Sequence, residues 1–499
     1  MIQSIDYAAI APPLILALMA GLVLLLDAFL PRAPRNRTVL AAVTLAGVLA
    51  ALGALITQAA SGRTLSTFCV PPDPAHPIRS CSYVVDDLTL IFAGVVLASA
   101  VVIVLLSVTQ LATVERPGST IPAGEWYFLL LCTLTGAVTL PASRDLIMLV
   151  VALELVSLPI FALAALKRYD AKSSEAALKL FLVSVISTAV MLFGVSLLYG
   201  LTGSVHLDRI AETLAGRVPT PAGSPAGVLA VAIVLVLAGF AFKVAAVPFH
   251  FWAGDVYQGA PVPIAALLSV ISKAAGFAGL ILVLTIALAG QAPFWAPVVA
   301  VLAALTMTTG NLLALRQRDA VRLLAWSSVA QSGYILAPLG VQNPDAVAAA
   351  TAYLAIYAAM NIGAFAVIML VARSGDLDDH RGLAFRHPAA AISLAFFLIC
   401  LAGLPPGLAG LFAKIVVFRE IVDGGGAWLA VVMAVNTVIG LYYYIAWTAR
   451  LFIPTPTTVP TTADTIRTGA RPAAIAVAVA LALSVAFSLA PQLILSAVG

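Results

Sequence analysis

Four ionisable side chains stand within long apolar stretches, where a charge is costly. Glu154 lies in RDLIMLVVALELVSLPIFAL, about ten residues or roughly 15 Å of helix beyond Asp145. Lys243, Lys273 and Lys414 lie in three later apolar stretches. One charge at the centre of a bilayer costs about 2.5–3.5 kcal/mol on insertion scales, so such residues usually have a function. The chemistry that these residue types offer is proton exchange.

The choice of cation supports this interpretation. All 20 arginines lie outside the predicted spans or at their ends, whereas three of the six lysines lie within them. An arginine keeps its proton in a protein, whereas a desolvated lysine can release one. The distribution therefore favours proton transfer. A structural scaffold with vestigial lysines is the alternative.

Because Glu154 is predicted to lie near the middle of the membrane, its carboxylate needs either a partner group or a proton. It either pairs with an intramembrane lysine, with Lys243 as the favoured candidate, or stays protonated and hydrogen-bonds a neighbouring helix. Lys179 opens the next apolar stretch, four residues after Glu175. It either forms an i,i+4 ion pair or serves as a proton-entry or supporting group near Glu154.

The composition predicts an all-α polytopic membrane protein. The chain is 62% hydrophobic and 10% charged, with a mean hydropathy of +1.09, whereas a soluble domain is about a quarter charged. Windows of about 20 apolar residues mark the spans. We predict fourteen, at roughly 9–30, 38–58, 87–112, 124–142, 145–166, 176–201, 226–250, 261–288, 293–315, 320–340, 346–372, 388–420, 427–450 and 471–496.

The loop charges predict the orientation. If the N-terminus lies outside, the inner loops carry 17 Lys and Arg residues and the outer loops carry six, as the positive-inside rule requires. With fourteen spans, both termini then lie outside. The net charge of +4 thus reflects topology and predicts no nucleic-acid partner.

Two spans are predicted to be broken. Gly239 and Pro248 flank Lys243 in span 7, and a run of glycines and prolines precedes Lys414 in span 12. Two halves of five helices each, inverted relative to one another, would explain this repetition. The predicted segments are 1–112 (spans 1–3), 113–289 (spans 4–8, first half-channel), 290–452 (spans 9–13, second half-channel) and 453–499 (span 14).

Other chemistry has little support in the sequence. There is no Gly-rich phosphate loop, no His/Cys spacing for a metal and no nucleophile triad, so the energy for transport must come from a partner or an ion gradient. Cys69 and Cys81 frame a Pro-rich outer loop. They are either free thiols or, because the outer face is oxidising, a disulfide.

Several long motifs resemble the antiporter-like membrane subunits of respiratory complex I, and within that family the subunit N type. They are LELVSLPIFAL, SSEAALKLFLVS, AFKVAAVPFHFW, HFWAGDVYQGAPVPIAALLSVISKAAGFAGL, AWSSVAQSGYIL and AGLPPGLAGLFAKIVVF, and together they extend over nearly the whole chain. Asn436 followed by Tyr442–Tyr444 also favours the subunit N type, as does Lys414, where the sister M type usually has a glutamate.

This resemblance implies a 14-helix fold of two inverted five-helix bundles in a bacterial plasma membrane. It implies proton translocation driven by quinone reduction in partner subunits, which would hold NAD, flavin, iron–sulfur clusters and quinone. Glu154 and Lys243 would be the coupling pair, Lys273 the central relay and Lys414 the titratable group of the second half. The chain has Gln331 where the family often has a histidine. A subunit of a multisubunit cation/proton antiporter is the alternative function.

Overall fold

The computed structural model describes residues 5–30, 34–72, 79–112, 121–167, 170–217, 226–371, 375–454 and 470–494. Apolar stretches in lipid become helices because a helix satisfies its own backbone hydrogen bonds. The helices are α1 (Ala11–Phe29), α2 (Pro34–Ala60), α3 (Asp87–Ala112), α4 (Ala123–Thr139), α5 (Leu146–Ala165), α6 (Ala171–Thr202), α7 (Leu207–Leu214), α8 (Ala226–Lys243), α9 (Trp252–Gly259), α10 (Val262–Leu267), α11 (Lys273–Leu282), α12 (Ala292–Ala314), α13 (Ala320–Leu336), α14 (Ala346–Leu370), α15 (Leu383–Arg386), α16 (Pro388–Ala402), α17 (Leu408–Asp423), α18 (Ala427–Phe452) and α19 (Arg471–Leu489).

The all-α, multi-pass character predicted from composition is confirmed. Within the described ranges, eleven helices are long and apolar enough to cross a membrane, and Gly227–Lys243 and Pro388–Ala402 are shorter apolar helices. The count of fourteen spans stays a prediction. So do the four segments and the inversion of the two halves. Residues 113–120, where the second predicted segment begins, and both extreme termini lie outside the described residues.

Both predicted helix breaks are present. Helix α8 ends at Lys243, and α9 begins at Trp252 after a turn that contains Pro248. Helix α16 ends at Ala402, where Gly403 takes a left-handed conformation with φ 82°. Proline cannot donate a helix hydrogen bond and glycine adopts positive φ without a steric penalty. These residues therefore end one half-helix and start the next.

The centre of the molecule is formed by α14 and by the segment from α10 to α11, both almost wholly buried in protein. Helix α10 continues into α11 through a π-helical turn, Leu268–Ser272. A π turn inside a helix is rare and often lies at a functional site. The sequence predicted one apolar span here, 261–288, without this widened turn, which directly precedes Lys273.

A β-hairpin covers one end of the helices. Strands β1 (Leu65–Val70) and β2 (Ser80–Val85) pair antiparallel, with Cys69 opposite Cys81. The two cysteines form a disulfide, which settles the alternative left open by the sequence. Arg209 of α7 donates to the Ser80 hydroxyl at 3.0 Å, and this contact fixes the hairpin to the helices.

Candidate functional site

Lys243 is the last residue of α8, at the edge of the first helix break. Its ammonium group donates to the hydroxyl of Ser157 on α5 and to that of Ser184 on α6, the latter at 3.3 Å. Both partners are neutral hydroxyls, which can accept a proton and pass one on. The break thus places Lys243 at the meeting point of three helices.

Glu154 lies one helical turn before Ser157 on α5. Its carboxylate accepts a hydrogen bond from Thr188 Oγ1 at 2.7 Å. The sequence predicted a direct ion pair between Glu154 and Lys243. That prediction is wrong, because each group hydrogen-bonds a hydroxyl instead. The role of Glu154 as the partner of Lys243 remains a prediction.

A small cavity adjoins Lys243. It leaves about 20 Å³ for a water centre, and its lining includes Ser157, Ser184, Lys243, Trp252 and Ser272. A buried water needs about 10–15 Å³ measured in this way, together with two to four polar partners. The cavity meets both conditions. It therefore has room and polar partners for one water beside Lys243.

Lys273 is the most deeply buried of the three intramembrane lysines, with 1% of its surface exposed. Its ammonium donates to the carbonyl oxygen of Ser328 at 2.5 Å and to the Ser328 hydroxyl at 2.6 Å. Tyr357 donates to the same hydroxyl at 2.9 Å. Its hydrogen-bond partners are all neutral, so the cost of burying the charged form is not offset by an ion pair. That environment suits a group that alternates between charged and neutral forms.

A second hydrogen-bonded group lies one turn further along α13. Gln331 accepts from the Tyr353 hydroxyl at 2.6 Å and donates to the Tyr444 hydroxyl at 3.3 Å. The Tyr444 and Ser327 hydroxyls are 2.5 Å apart. These four side chains come from α13, α14 and α18, and all are buried.

Lys414 lies inside the second half of the broken helix, in α17, and is 7% exposed. Its ammonium donates to the carbonyl oxygens of Ala402 at 2.7 Å and Leu401 at 3.3 Å. These carbonyls end α16, where the break leaves them without helical partners. The ammonium also lies 5.5 Å from the ring centroid of Tyr334, and that ring stacks on Tyr353.

Lys179 belongs to an ion cluster at one end of the helices. It contacts Glu175 and Asp255, each at 2.7 Å, and Arg322 contacts Asp255 at 2.9 Å. The predicted i,i+4 pair is thus present.

Lys179 is distant from Glu154. Thr188, which contacts Glu154, lies nine residues further along α6, or about 13 Å of helix, so Lys179 does not support Glu154 directly. Its role in proton entry remains a prediction, and a cavity of about 170 Å³ adjoins the cluster.

Asp255 lies between two predicted spans and joins α6 to α13. The hydrogen bond from Lys179 is the main cause of a lowered pKa of the Asp255 carboxyl; partial burial opposes this effect and Arg322 adds to it. Asp255 is therefore charged near neutral pH. Sequence reasoning did not single it out, because its two partners lie on helices distant in the chain.

The buried tyrosines are the main part of the site that sequence reasoning missed. Tyr353, Tyr357 and Asn361 repeat every four residues on α14, and each makes a polar contact. This spacing places them on one helix face, which is the signal that the sequence contains. It was overlooked because tyrosine in an apolar stretch is usually a packing residue.

Comparison with known proteins gives the family. Residues 143–440 match the model of the family described as NADH:quinone oxidoreductase/Mrp antiporter, TM. The chain is 53% identical over 462 residues to NADH-quinone oxidoreductase subunit N 2 of Streptomyces griseus, with 90% of this chain and 83% of the relative covered.

Solved structures agree with this assignment. A chain of respiratory complex I from Thermus thermophilus superposes with a TM-score of 0.77 at 32% identity, with 98% of this chain and 99% of that chain covered. A chain of the Mrp complex from Dietzia superposes with a TM-score of 0.80 at 21% identity, covering 97% and 95% respectively, and this likeness shows a shared fold alone. The chain belongs to the NADH-quinone oxidoreductase subunit N family and is a subunit of a multisubunit membrane complex.

Proposed function

We propose that this chain moves protons across the membrane as a subunit of NADH-quinone oxidoreductase, driven by quinone reduction in its partner subunits. The observation that carries the proposal is Lys273, a lysine buried between Lys243 and Lys414 with only neutral hydrogen-bond partners. A permanently charged structural lysine would be expected to have a carboxylate beside it. Lysine, unlike arginine, can occupy both protonation states in this environment.

Transfer from Lys243 to Lys273 is the first step. The ammonium of Lys243 gives its proton to a water in the adjoining cavity, and the neutral amine of Lys273 takes one up. Glu154 favours the charged form of Lys243 by electrostatic attraction, so a change in its distance would release the proton. Entry is assigned to the cluster around Lys179.

Transfer from Lys273 to Lys414 is the second step. In this proposal, residues 113–289 and 290–452 are two half-channels related by inversion, and each contains one broken helix with its lysine. The positions of Lys243 beside the first break and Lys414 beside the second support this correspondence. Residues 1–112 and 453–499 flank the two halves.

The redox chemistry belongs to other chains in this proposal. NAD, flavin, iron–sulfur clusters and quinone are assigned to partner subunits, and the contacts of this chain are with neighbouring membrane-arm subunits and lipid. The complex is placed in a bacterial plasma membrane with both termini of this chain outside. The predominance of Lys and Arg in the predicted inner loops supports that orientation.

The experiment uses the intact complex in proteoliposomes. Lys273→Met is expected to reduce NADH-driven internal acidification strongly, and Lys273→Arg is expected to fail equally, because arginine retains the charge but cannot release the proton. Arg419→Gln, an exposed cation, is the matched control. NADH–ferricyanide activity reports whether the partner subunits remain assembled.

Two results would contradict the proposal. Normal acidification by Lys273→Arg would mean that the charge alone suffices, as in a scaffold. Sodium-dependent proton exchange by complexes without NADH-oxidising partners would favour the cation/proton antiporter.

A further inference from the structure

We infer that Gln331 is a positioning residue that sets the direction of the hydrogen bonds between Lys273 and Lys414. This inference rests on the proposed proton-transfer function. Its basis is the contact of one buried amide with two buried tyrosine hydroxyls, Tyr353 on α14 and Tyr444 on α18. Gln331 itself is 2% exposed.

A glutamine amide has one end that only accepts hydrogen bonds and one that only donates. The oxygen of Gln331 accepts from Tyr353 at 2.6 Å, and the nitrogen donates to Tyr444 at 3.3 Å. Since the Tyr444 oxygen already accepts a hydrogen bond from Gln331, its own proton is free to point to Ser327, 2.5 Å away. The amide thus orders three hydroxyls in one direction, from Tyr353 towards Ser327.

Contacts extend from this ordered group towards both lysines. Towards Lys273, the next pair is Ser328 and Tyr357, one turn away on both α13 and α14. Towards Lys414, Tyr353 stacks on Tyr334, whose ring centroid lies 5.5 Å from the ammonium. Gln331 therefore orients hydroxyls that stand between the polar contacts of the two lysines, without itself taking up a proton.

The test compares variants in the intact complex in proteoliposomes. Gln331→Met keeps the length and removes both hydrogen bonds, so NADH-driven acidification should fall about two- to tenfold. Gln331→His supplies one acceptor and one donor and should restore most of the rate. Tyr353→Phe and Tyr444→Phe keep the rings and should each resemble Gln331→Met. Tyr127→Phe, a buried tyrosine on α4, should have no effect.

A double-variant cycle distinguishes positioning from packing. If the amide and the Tyr444 hydroxyl act as one unit, Gln331→Met with Tyr444→Phe should lose no more than either variant alone. Multiplied losses would overturn the inference, as would an unchanged rate in Gln331→Met or a loss that Gln331→His does not restore. If the Gln331→Met complex does not assemble, the two Tyr→Phe variants decide, since normal rates in both would also overturn it. Normal acidification by Lys273→Met would instead refute the proposed function.

Discussion

Lys273 donates to both oxygens of Ser328, to the carbonyl at 2.5 Å and to the hydroxyl at 2.6 Å. The two contacts have different consequences. The carbonyl orients the ammonium but has no proton to exchange, whereas the hydroxyl both accepts and donates. The hydroxyl also accepts a hydrogen bond from Tyr357, and in the proposed route it is the group that exchanges the proton of Lys273.

Removing that hydroxyl should slow transfer without exposing Lys273. In Ser328→Ala the carbonyl contact remains, so the ammonium keeps one partner and the complex should assemble. We expect NADH-driven acidification to fall about two- to tenfold, the scale of one buried hydrogen bond. Ser328→Thr retains a hydroxyl and should remain near the wild-type rate. Equal rates for the alanine and wild-type proteins would show that the proton takes another route.

The approach of α11 to Lys243 leaves little room for a side chain at Gly276. A Cβ there would lie 3.0 Å from Lys243 Cβ and 3.2 Å from Val244 Cγ1. Gly276→Ala should therefore destabilise the protein by about 1–3 kcal/mol, as overpacking does, seen as a lower thermal aggregation temperature in detergent. Gly200→Ala on α6 meets nothing within 4 Å and is the control. A Gly276→Ala protein as stable as the control would contradict the packing described here.

The sequence predicts the helices, the two breaks and the depth of each lysine, because these depend on local composition. Hydropathy places Lys273 in an apolar span, and the Gly and Pro residues around 403–407 end α16 regardless of its neighbours. These features need no knowledge of how distant segments pack.

The partners of the lysines could not be predicted, because packing between distant segments decides them. Lys243 lies at the end of α8, where its ammonium hydrogen-bonds Ser157 while Glu154 accepts from Thr188, so the expected ion pair does not form. The π turn before Lys273 likewise depends on the surroundings of the whole helix rather than on its residue types.

The hairpin disulfide gives a chemical prediction. Without reductant, peptide mapping should recover residues 69 and 81 in one cross-linked species, while Cys132 and Cys400 are recovered as free thiols. After reduction all four cysteines should accept an alkylating reagent. Cys69→Ser with Cys81→Ser should loosen the hairpin and increase cleavage by trypsin after Arg79, at its exposed edge. Recovery of both cysteines as free thiols from freshly isolated membranes would contradict the structure.

The Asp255 bridge gives a prediction about pH. A carboxyl with a lowered pKa in the folded state stabilises the protein above its unfolded pKa, about 3.9, and loses that contribution as the pH falls through the folded value. Since the pKa of Asp255 is lowered, chiefly by the hydrogen bond from Lys179, the bridge should stay intact from about pH 5.5 to 8.

Asp255→Asn removes the charge that joins Lys179 on α6 to Arg322 on α13. It should lower the thermal stability of the complex by a constant amount across that pH range. Glu175→Gln is the matched control, because Glu175 contacts Lys179 from within the same helix and its loss leaves the link between helices in place. A stability difference that disappears between pH 5.5 and 8 would mean that Asp255 titrates there, and the bridge would then be a pH-sensitive contact rather than a permanent one.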